Sequence, residues 1–358
     1  MVDGRPTLDT VAQAAGVSRM TVSNAYNRPD QLSAATREHV LAVAATLGYP
    51  GPNPAARSLR RRSSGTIGVL LTERLPYAFT DPGLVSLLRG LATELGAAGQ
   101  SLLLVPAEAD DVAEVVRNAL VDGFLICSMD ESDEAVIAVR QRQQPIVTVG
   151  HPRLPGVPLV AIDNVRAAAF AAEHLLDLGH RRFGILNLLG RRPGDSQHRD
   201  IPVRFGIDDR VEGFSRAVHA VRGTTVVVET AQVHTHDEAV RVARAVLDVD
   251  DHHRPTAVFC VTDVLALGVL DAARQLGLSI PDHVSVVGFD DIEEASRAVP
   301  PLTTVNQDLE GKGRVAARAV LDRVAGERPK VPRLSAHLVV RESTAAPRGR
   351  PSRHAATR

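Results

Sequence analysis

Residues 7–27 read TLDTVAQAAGVSRMTVSNAYN, and they fit two short helices separated by a tight turn. Thr7 suits the N-cap of the first helix, whose apolar face is Leu8, Val11, Ala12 and Ala15. Gly16 follows at the C-terminal position, where a left-handed conformation costs glycine little. Val17 points inward, and Ser18 caps a second helix predicted over about 18–26. That helix is expected to bury Val22 and Ala25 fully and Met20 only partly. Arg19, Thr21, Ser23 and Asn24 are left on a polar face. A helix, a glycine turn and a polar-faced helix make a helix-turn-helix. A second helix of this kind fits the major groove of DNA, where Arg, Asn, Ser and Thr match base edges and phosphates. A third helix is expected over about 33–47, capped by Ser33, with Val40, Val43, Ala44 and Leu47 inward and Gly48 closing it. Taken alone, these three helices also suit a generic small bundle.

Charge separates the two readings. The 358 residues carry a net charge of −1, but residues 1–62 hold 8 arginines against 4 acids. Residues 344–358 add 4 arginines and no acid, and the middle, 63–343, holds 29 basic and 38 acidic residues. A basic head on an acidic body points to a polyanion at the head. Next to the head lies a punctuated stretch, Gly48 to Pro54, and then AARSLRRR at 55–62. Asn53 suits a cap and Pro54 a first helical turn. So short a helix is marginal alone and needs a partner to order it. Leu59 is the apolar side chain among these arginines, and one apolar wedge flanked by arginines is how minor-groove kinkers work. A plain basic linker is the other reading.

From Gly65 the period changes. Apolar runs at 65–71, 101–106, 123–128, 145–150, 159–163, 182–186, 225–229, 257–261, 284–289 and 337–341 read as strands. Helical patterns alternate with them, at 85–98, 110–121, 133–143, 164–178, 208–221, 236–248, 263–276 and 308–325. Near-continuous apolar strands between amphipathic helices predict an α/β body of doubly wound parallel sheets. Some 280 residues exceed one ordinary core, so two lobes are expected, with ligand bound beyond the carboxyl ends of the strands. The polar residues at those ends are Tyr77, Phe79 and Asp81, then Asp163 and Asn164, Thr262 and Asp263, and Asp290 and Asp291. Any one of them could simply cap the next helix, and Asp263 is read as such a cap. Asp290 differs, because no helix clearly starts there.

These residues together carry a resemblance. The head, in TLDTVAQAAGVSRMTVSNAYN and NPAARSLR, resembles the DNA-binding domain of the lactose-repressor (LacI/GalR) family. The body resembles that family's periplasmic-binding-protein-like core in HLLDLGHRRFGIL (174–186), RVEGF (210–214), TDVLALGVLDAARQLGLSIPDHVSVVGFDD (262–291) and PPLTTVNQD (300–308). The likeness runs in order from residue 7 to about 343. It implies that Thr7 touches phosphate and that Ser18, Arg19, Met20, Thr21, Ser23 and Asn24 form the recognition surface, Arg19 and Met20 reading bases. Asn27, Ser33 and Thr36 would hold backbone, Asn53 and Ala56 would start a hinge helix, Leu59 would be the wedge, and Arg60 would follow it in the minor groove. Arg210, Asp290 and Gln307 match effector positions, and an arginine with an aspartate suits vicinal hydroxyls of a sugar. Asp163 and Asn164 lie near the same crevice by this likeness. Thr262-Asp263 stands where the family often has Asn-Asp, which puts ordinary hexose binding in doubt. The family's stacking aromatic is not evident in TAQVHTHDEA, and Tyr77 and Phe79 are the expected substitutes, beside Asp81.

The domain expectations follow. Residues 1–50 form the helix-turn-helix head and 51–64 a hinge helix and linker. Residues 65–162 plus 291–324 form the first lobe, 163–290 plus 325–343 the second, and 344–358 a disordered basic tail. The polar segment 189–209 is expected to cover the cleft. The expected function is an allosteric transcriptional regulator, a repressor binding palindromic double-stranded DNA as a homodimer and answering a small carbohydrate effector. The effector alternative is a nucleoside or another non-sugar metabolite.

A solute-binding protein would share the body but lack the head. An enzyme finds little support, since GKGRVA at 311–316 imitates a dinucleotide fingerprint inside a helical pattern with no strand before it. His234, His236 and Asp237 are read as solvated rather than as metal ligands. No cofactor or metal is expected. With 2 cysteines, both in apolar runs, and no apolar leader or 18-residue apolar span, a cytoplasmic protein without membrane contact is expected.

Overall fold

The computed structural model describes residues 6–51, 63–72, 75–107, 111–188 and 206–348. The expected hinge residues Asn53, Ala56, Leu59 and Arg60 lie outside them, as does 189–205 of the segment expected to cover the cleft. The chain divides into two compact units, 1–65 and 66–358.

In the head, α1 (Leu8–Ala15), α2 (Arg19–Asn27) and α3 (Ala34–Thr46) enclose a small core of Val11, Ala12, Ala15, Val22, Ala25, Val40, Ala44 and Tyr49. Thr7 and Thr10 cap α1 reciprocally, while Ser18 and Ser33 accept from the backbone of Thr21 and Thr36. Gly16 makes the turn with φ 65°, a conformation that favours glycine.

The body has two sheets, and its strands are β1 (Thr66–Leu71), β2 (Ser101–Pro106), β3 (Gly123–Cys127), β4 (Ile146–Val149), β5 (Leu159–Val160), β6 (Arg182–Leu188), β7 (Thr225–Ala231), β8 (Ala257–Cys260), β9 (Ser285–Asp290), β10 (Thr303–Asn306) and β11 (His337–Val339). The first lobe is parallel in the order β2-β1-β3-β4-β5, and the second runs β11-β10-β9-β8-β6-β7. The central strands are buried on both faces because helices cover both sides, which is why they read as unbroken apolar runs. After the head come α4 (Leu75–Ala78), α5 (Pro82–Ala97), α6 (Val112–Asn118), α7 (Glu134–Gln141), α8 (Asn164–Asp177), α9 (Ile207–His219), α10 (His236–Leu247), α11 (Asp263–Gln275), α12 (Glu293–Arg297) and α13 (Leu309–Val324). Among the described residues no helix is long and apolar enough to cross a membrane.

Three expectations change. β11 pairs antiparallel with β10, since the chain returns to that sheet edge through a short connection after α13. β10 belongs to the second sheet, pairing with β9, so the chain crosses into the first lobe after Asn306 and not at 291. The tail expected to be disordered from 344 is ordered as far as it is described. Thr344 meets His174 Nε2 at 2.9 Å, and the Ala345 carbonyl accepts from Ser285 at 3.0 Å and meets His180 Nε2 at 2.8 Å.

Close helix pairs hold each lobe. A Cβ at Gly90 or Gly313 would strike the facing backbone of α13 or α5, and one at Gly213 would sit 2.1 Å from the Val165 carbonyl oxygen of α8. Gly213→Ala is therefore expected to lower stability by about 1–3 kcal/mol through forced separation of α8 and α9. Urea denaturation followed by circular dichroism would measure this, and an unchanged midpoint would contradict the packing.

Candidate nucleic-acid interface and ligand cleft

The head presents the exposed start of α2. Arg19 and Met20 project into solvent, Met20 with 72% of its surface open, which is a large exposure for an apolar side chain without a partner. Arg19 pairs only loosely with Asp9, at 3.5 Å between exposed groups. Thr21, Ser23 and Asn24 are half-buried on the same helix. Thr7, Ser18 and Ser33 hold helix starts, and Thr36 joins Ser33 at 2.8 Å. Asn27 turns its amide back onto the Ser23 carbonyl at 2.9 Å. Arginine, hydroxyl and amide groups on one exposed helix end can meet phosphates and base edges.

The body carries a cleft of about 250 Å³ between the lobes. Its second-lobe wall is built around Arg210, in the first turn of α9. Arg210 lies flat on the Phe289 ring, 3.8 Å from the centroid, and donates to the Val261 carbonyl at 2.6 Å, Asn164 Oδ1 at 3.2 Å and Asp290 Oδ1 at 3.2 Å. Gln307 Nε2 donates to the same Asp290 oxygen at 2.5 Å, and Lys312 Nζ donates to Gln307 Oε1. The chain of contacts thus runs from the second lobe through the crossover into α13 of the first. Among the described residues, Asp290 Oδ2 and Arg210 Nη2 take no hydrogen bond. A fork of one donor and one acceptor suits two neighbouring hydroxyls.

Burial shapes the electrostatics. It pushes the Asp290 carboxyl up against the opposing pull of Arg210 and Gln307, and it lowers Arg210, which stays charged. Burial, with the Asp290 charge nearby, raises Asp263 to about 7. Burial, with Arg210 nearby, lowers Lys312 to about 8. Backbone strain gathers here too: Asp290 and Asp291 have φ of 120° and 58°, and Ser128, also in the lining, has φ 50°.

A second set of bonds spans the cleft. The Tyr77 hydroxyl, from the first lobe, donates to Asp81 Oδ2 at 2.7 Å and meets His234 Nδ1, from the second lobe, at 2.5 Å. His234 Nε2 meets Thr262 Oγ1 at 2.9 Å. With the tyrosine proton given to Asp81, His234 Nδ1 carries the proton offered to Tyr77. Burial pushes Asp81 up, but bonds from His234, Tyr77 and the Leu84 amide outweigh it and bring it down to about 2.

The expected effector residues divide accordingly. Tyr77, Asp81, Arg210, Thr262, Asp290 and Gln307 line the cleft. Phe79 does not: it follows α4 with 68% of its surface open and is not part of the lining. Asp163 does not either, because its carboxylate caps α8 by accepting from the Arg166 amide at 2.9 Å. Thr262, not Asp263, caps α11, and Asp263 is buried, accepting from the Ile292 amide and Thr304. Sequence reasoning missed Lys312 and His234 as cleft residues. Each sat in a pattern read for something else, a false dinucleotide fingerprint and a solvated His-x-His. Cys127 also lines the cleft, but burial pushes its thiol up to about 12, which leaves it inert.

Residues 7–53 match the family described as bacterial regulatory proteins, lacI family, and residues 172–344 match a periplasmic binding protein-like domain. The regulator IpsA of Corynebacterium glutamicum is 40% identical over 90% of this chain and 92% of its own length. The chain belongs to the lacI family of bacterial regulators. This LacI-family chain resembles the solved lac repressor dimer bound to operator and an anti-inducer, with TM-score 0.78 and 27% identity over 95% of this chain and 99% of that one. It also resembles the CelR–cellobiose complex, with TM-score 0.66 and 32% identity over 95% and 100%. It is a DNA-binding transcriptional regulator, and its named relatives are transcriptional regulators, not enzymes.

Lys312 supplies a test of the cleft's electrostatics. Its amine is held at about 8 in the fold against 10.5 when free, so folding is penalised below pH 8 and the penalty fades as pH rises toward 10.5. Lys312→Met is expected to stabilise the protein by roughly 1–3 kcal/mol at pH 7, with less gain near pH 10. Melting temperatures at the two pH values check this, and a gain that does not shrink at high pH would contradict it.

Proposed function

We propose that this regulator represses transcription by binding a palindromic operator as a homodimer, and that a small polyhydroxyl effector held between the lobes alters that binding. The observation that carries the effector half is the Arg210–Asp290 fork, both of whose residues line the cleft. The head half rests on the exposed start of α2, where Arg19 and Met20 face solvent. A bidentate arginine–guanine pair at Arg19 would give about 1–3 kcal/mol of discrimination. Leu59 is the proposed minor-groove wedge, with Asn53, Ala56 and Arg60 around it. A lac repressor dimer sits on operator and CelR holds cellobiose in their solved complexes, and both likenesses favour this reading. Coupling between the two sites is reciprocal and typically amounts to about 1–3 kcal/mol.

The test is a gel shift of the full chain on selected duplex sequences, with and without a panel of sugars and related metabolites. The intact chain should retain a palindromic site and release it, or tighten on it, with one class of ligand. Arg210→Ala should weaken that ligand by about 2–5 kcal/mol and remove its effect on the shift, because the buried Asp290 loses its counter-charge. An unchanged response in Arg210→Ala would sink the assignment of this cleft.

The dimer half has its own support. β2 and β7 are edge strands of the two sheets, and large apolar side chains stand exposed along them or close by: Leu103, Val115 and Leu120 in the first lobe, Val227 and Val228 in the second. A second copy would cover them. The double variant Leu120→Asp, Val227→Asp is expected to lower the light-scattering mass from two chains to the single-chain 38.2 kDa. A dimer that survives both charges would place the interface elsewhere.

A further inference from the structure

Lys312 is a buried ammonium with too few partners. It stands in the first turn of α13, 7% exposed, and lines the cleft. Among the described residues its one hydrogen-bond acceptor is Gln307 Oε1, so two of its three N–H donors go unused. It forms no ion pair among those residues. Neither of the cleft's carboxylates bonds to it among the described residues. Asp290 Oδ1 is shared by Arg210 and Gln307, and both oxygens of Asp81 are held by the Gly83 and Leu84 amides, Tyr77 and His234. Asp308, next to Gln307, caps α13 through the Gly311 amide. Asp290 and Asp308 attract it without bonding to it, Arg210 repels it, and the nearby Cys127 thiol is neutral. A lysine in the first turn also faces the positive end of the α13 dipole. A buried cation costs folding free energy unless something compensates it. Among the described residues no carboxylate pairs with it directly, and it lines the cleft.

We infer that Lys312 is the anion-binding group of this cleft, and that the effector is a small polyhydroxyl compound bearing an anionic oxygen group, a carboxylate or a phosphate. Its hydroxyls fork between Arg210 and Asp290, and its anionic oxygens take the free donors of Lys312. A neutral sugar offers this ammonium acceptors but no counter-charge. The inference rests on the effector reading above and narrows its ligand class.

The sequence supplies an unusually clean probe, because Lys312 and Lys330 are the only lysines and Lys330 is exposed. Full-length protein labelled with carbon-13 lysine shows one Cε signal for each. Sodium phosphate and sodium acetate are titrated in separate arms, against sodium chloride at matched ionic strength and against D-glucose as the neutral arm. The Lys312 signal is expected to shift with phosphate or acetate, and whichever is stronger identifies the group. Its titration midpoint should rise from about 8 while Lys330 stays put. In a second measurement, matched series of neutral sugars, sugar acids and sugar phosphates are tested by thermal shift. Anionic members should bind at least ten-fold more tightly than their neutral parents, and Lys312→Met should erase that preference.

A Lys312 signal that ignores both anions, or a preference that survives Lys312→Met, overturns the inference. If neutral sugars still stabilise the protein in that case, the effector cleft stands and only its charge selectivity is lost. If no sugar, acid or phosphate has any effect, both readings fall.

Discussion

Arg210 donates to Asp290 across 3.2 Å where neither group sees much water, and the architecture of the body converges on keeping that pair in place. Removing one partner of such a pair leaves an uncompensated buried charge, at a cost of about 3–5 kcal/mol. The surroundings are built to prevent it. Phe289 lies under the guanidinium, the Val261 carbonyl and Asn164 also accept from it through Nη1 and Nε, and Gly213 lets α9 press against α8 so that Arg210 reaches its place. Asp290 is held with its backbone in a disfavoured region, which persists only where neighbours over-determine it. Through Gln307 the pair reaches Lys312, so its geometry is felt in both lobes.

That connection gives the cleft two kinds of bond between the lobes. One is the path through the crossover, which keeps its covalent chain however the lobes move. The other is the Tyr77–His234 contact, which exists only while the lobes are close. A ligand that inserts between Tyr77 and His234 must replace their hydrogen bonds, and one that leaves them intact holds the closed arrangement. A ligand shifts a conformational balance only by its differential affinity for the two arrangements. The sign of an effector's action is therefore decided partly at this contact.

Much of this was legible in the chain. Thr7, Ser18 and Ser33 announced their helices because a hydroxyl before an apolar repeat has a local job, and local jobs leave local signals. The apolar strands were equally plain, since burial on both faces leaves no polar alternation. Arg210, Asp290 and Gln307 came from the family resemblance. What failed is tertiary. Nothing near Phe79 says that its ring points outward, and Asp163 carries a cap signal that suits either a cap or a ligand. Lys312 sits in a correctly read helix, but which face of α13 meets the cleft depends on Gly90 and Gly313, 223 positions apart in the chain. His234 looked solvated because its partners, Tyr77 and Thr262, are remote in sequence. The antiparallel return of β11 follows from loop length and sheet edge, which apolar runs do not encode.

The chain has no tryptophan and 3 tyrosines. Tyr26 and Tyr49 pack edge to face in the head, with centroids 5.9 Å apart, and Tyr77 bonds across the cleft. Its near-ultraviolet emission thus has two independent origins, and no brighter fluorophore masks either. Lobe separation takes the His234 imidazole from the Tyr77 phenol and leaves the Asp81 carboxylate on it, so the native emission reports that one contact without any attached dye.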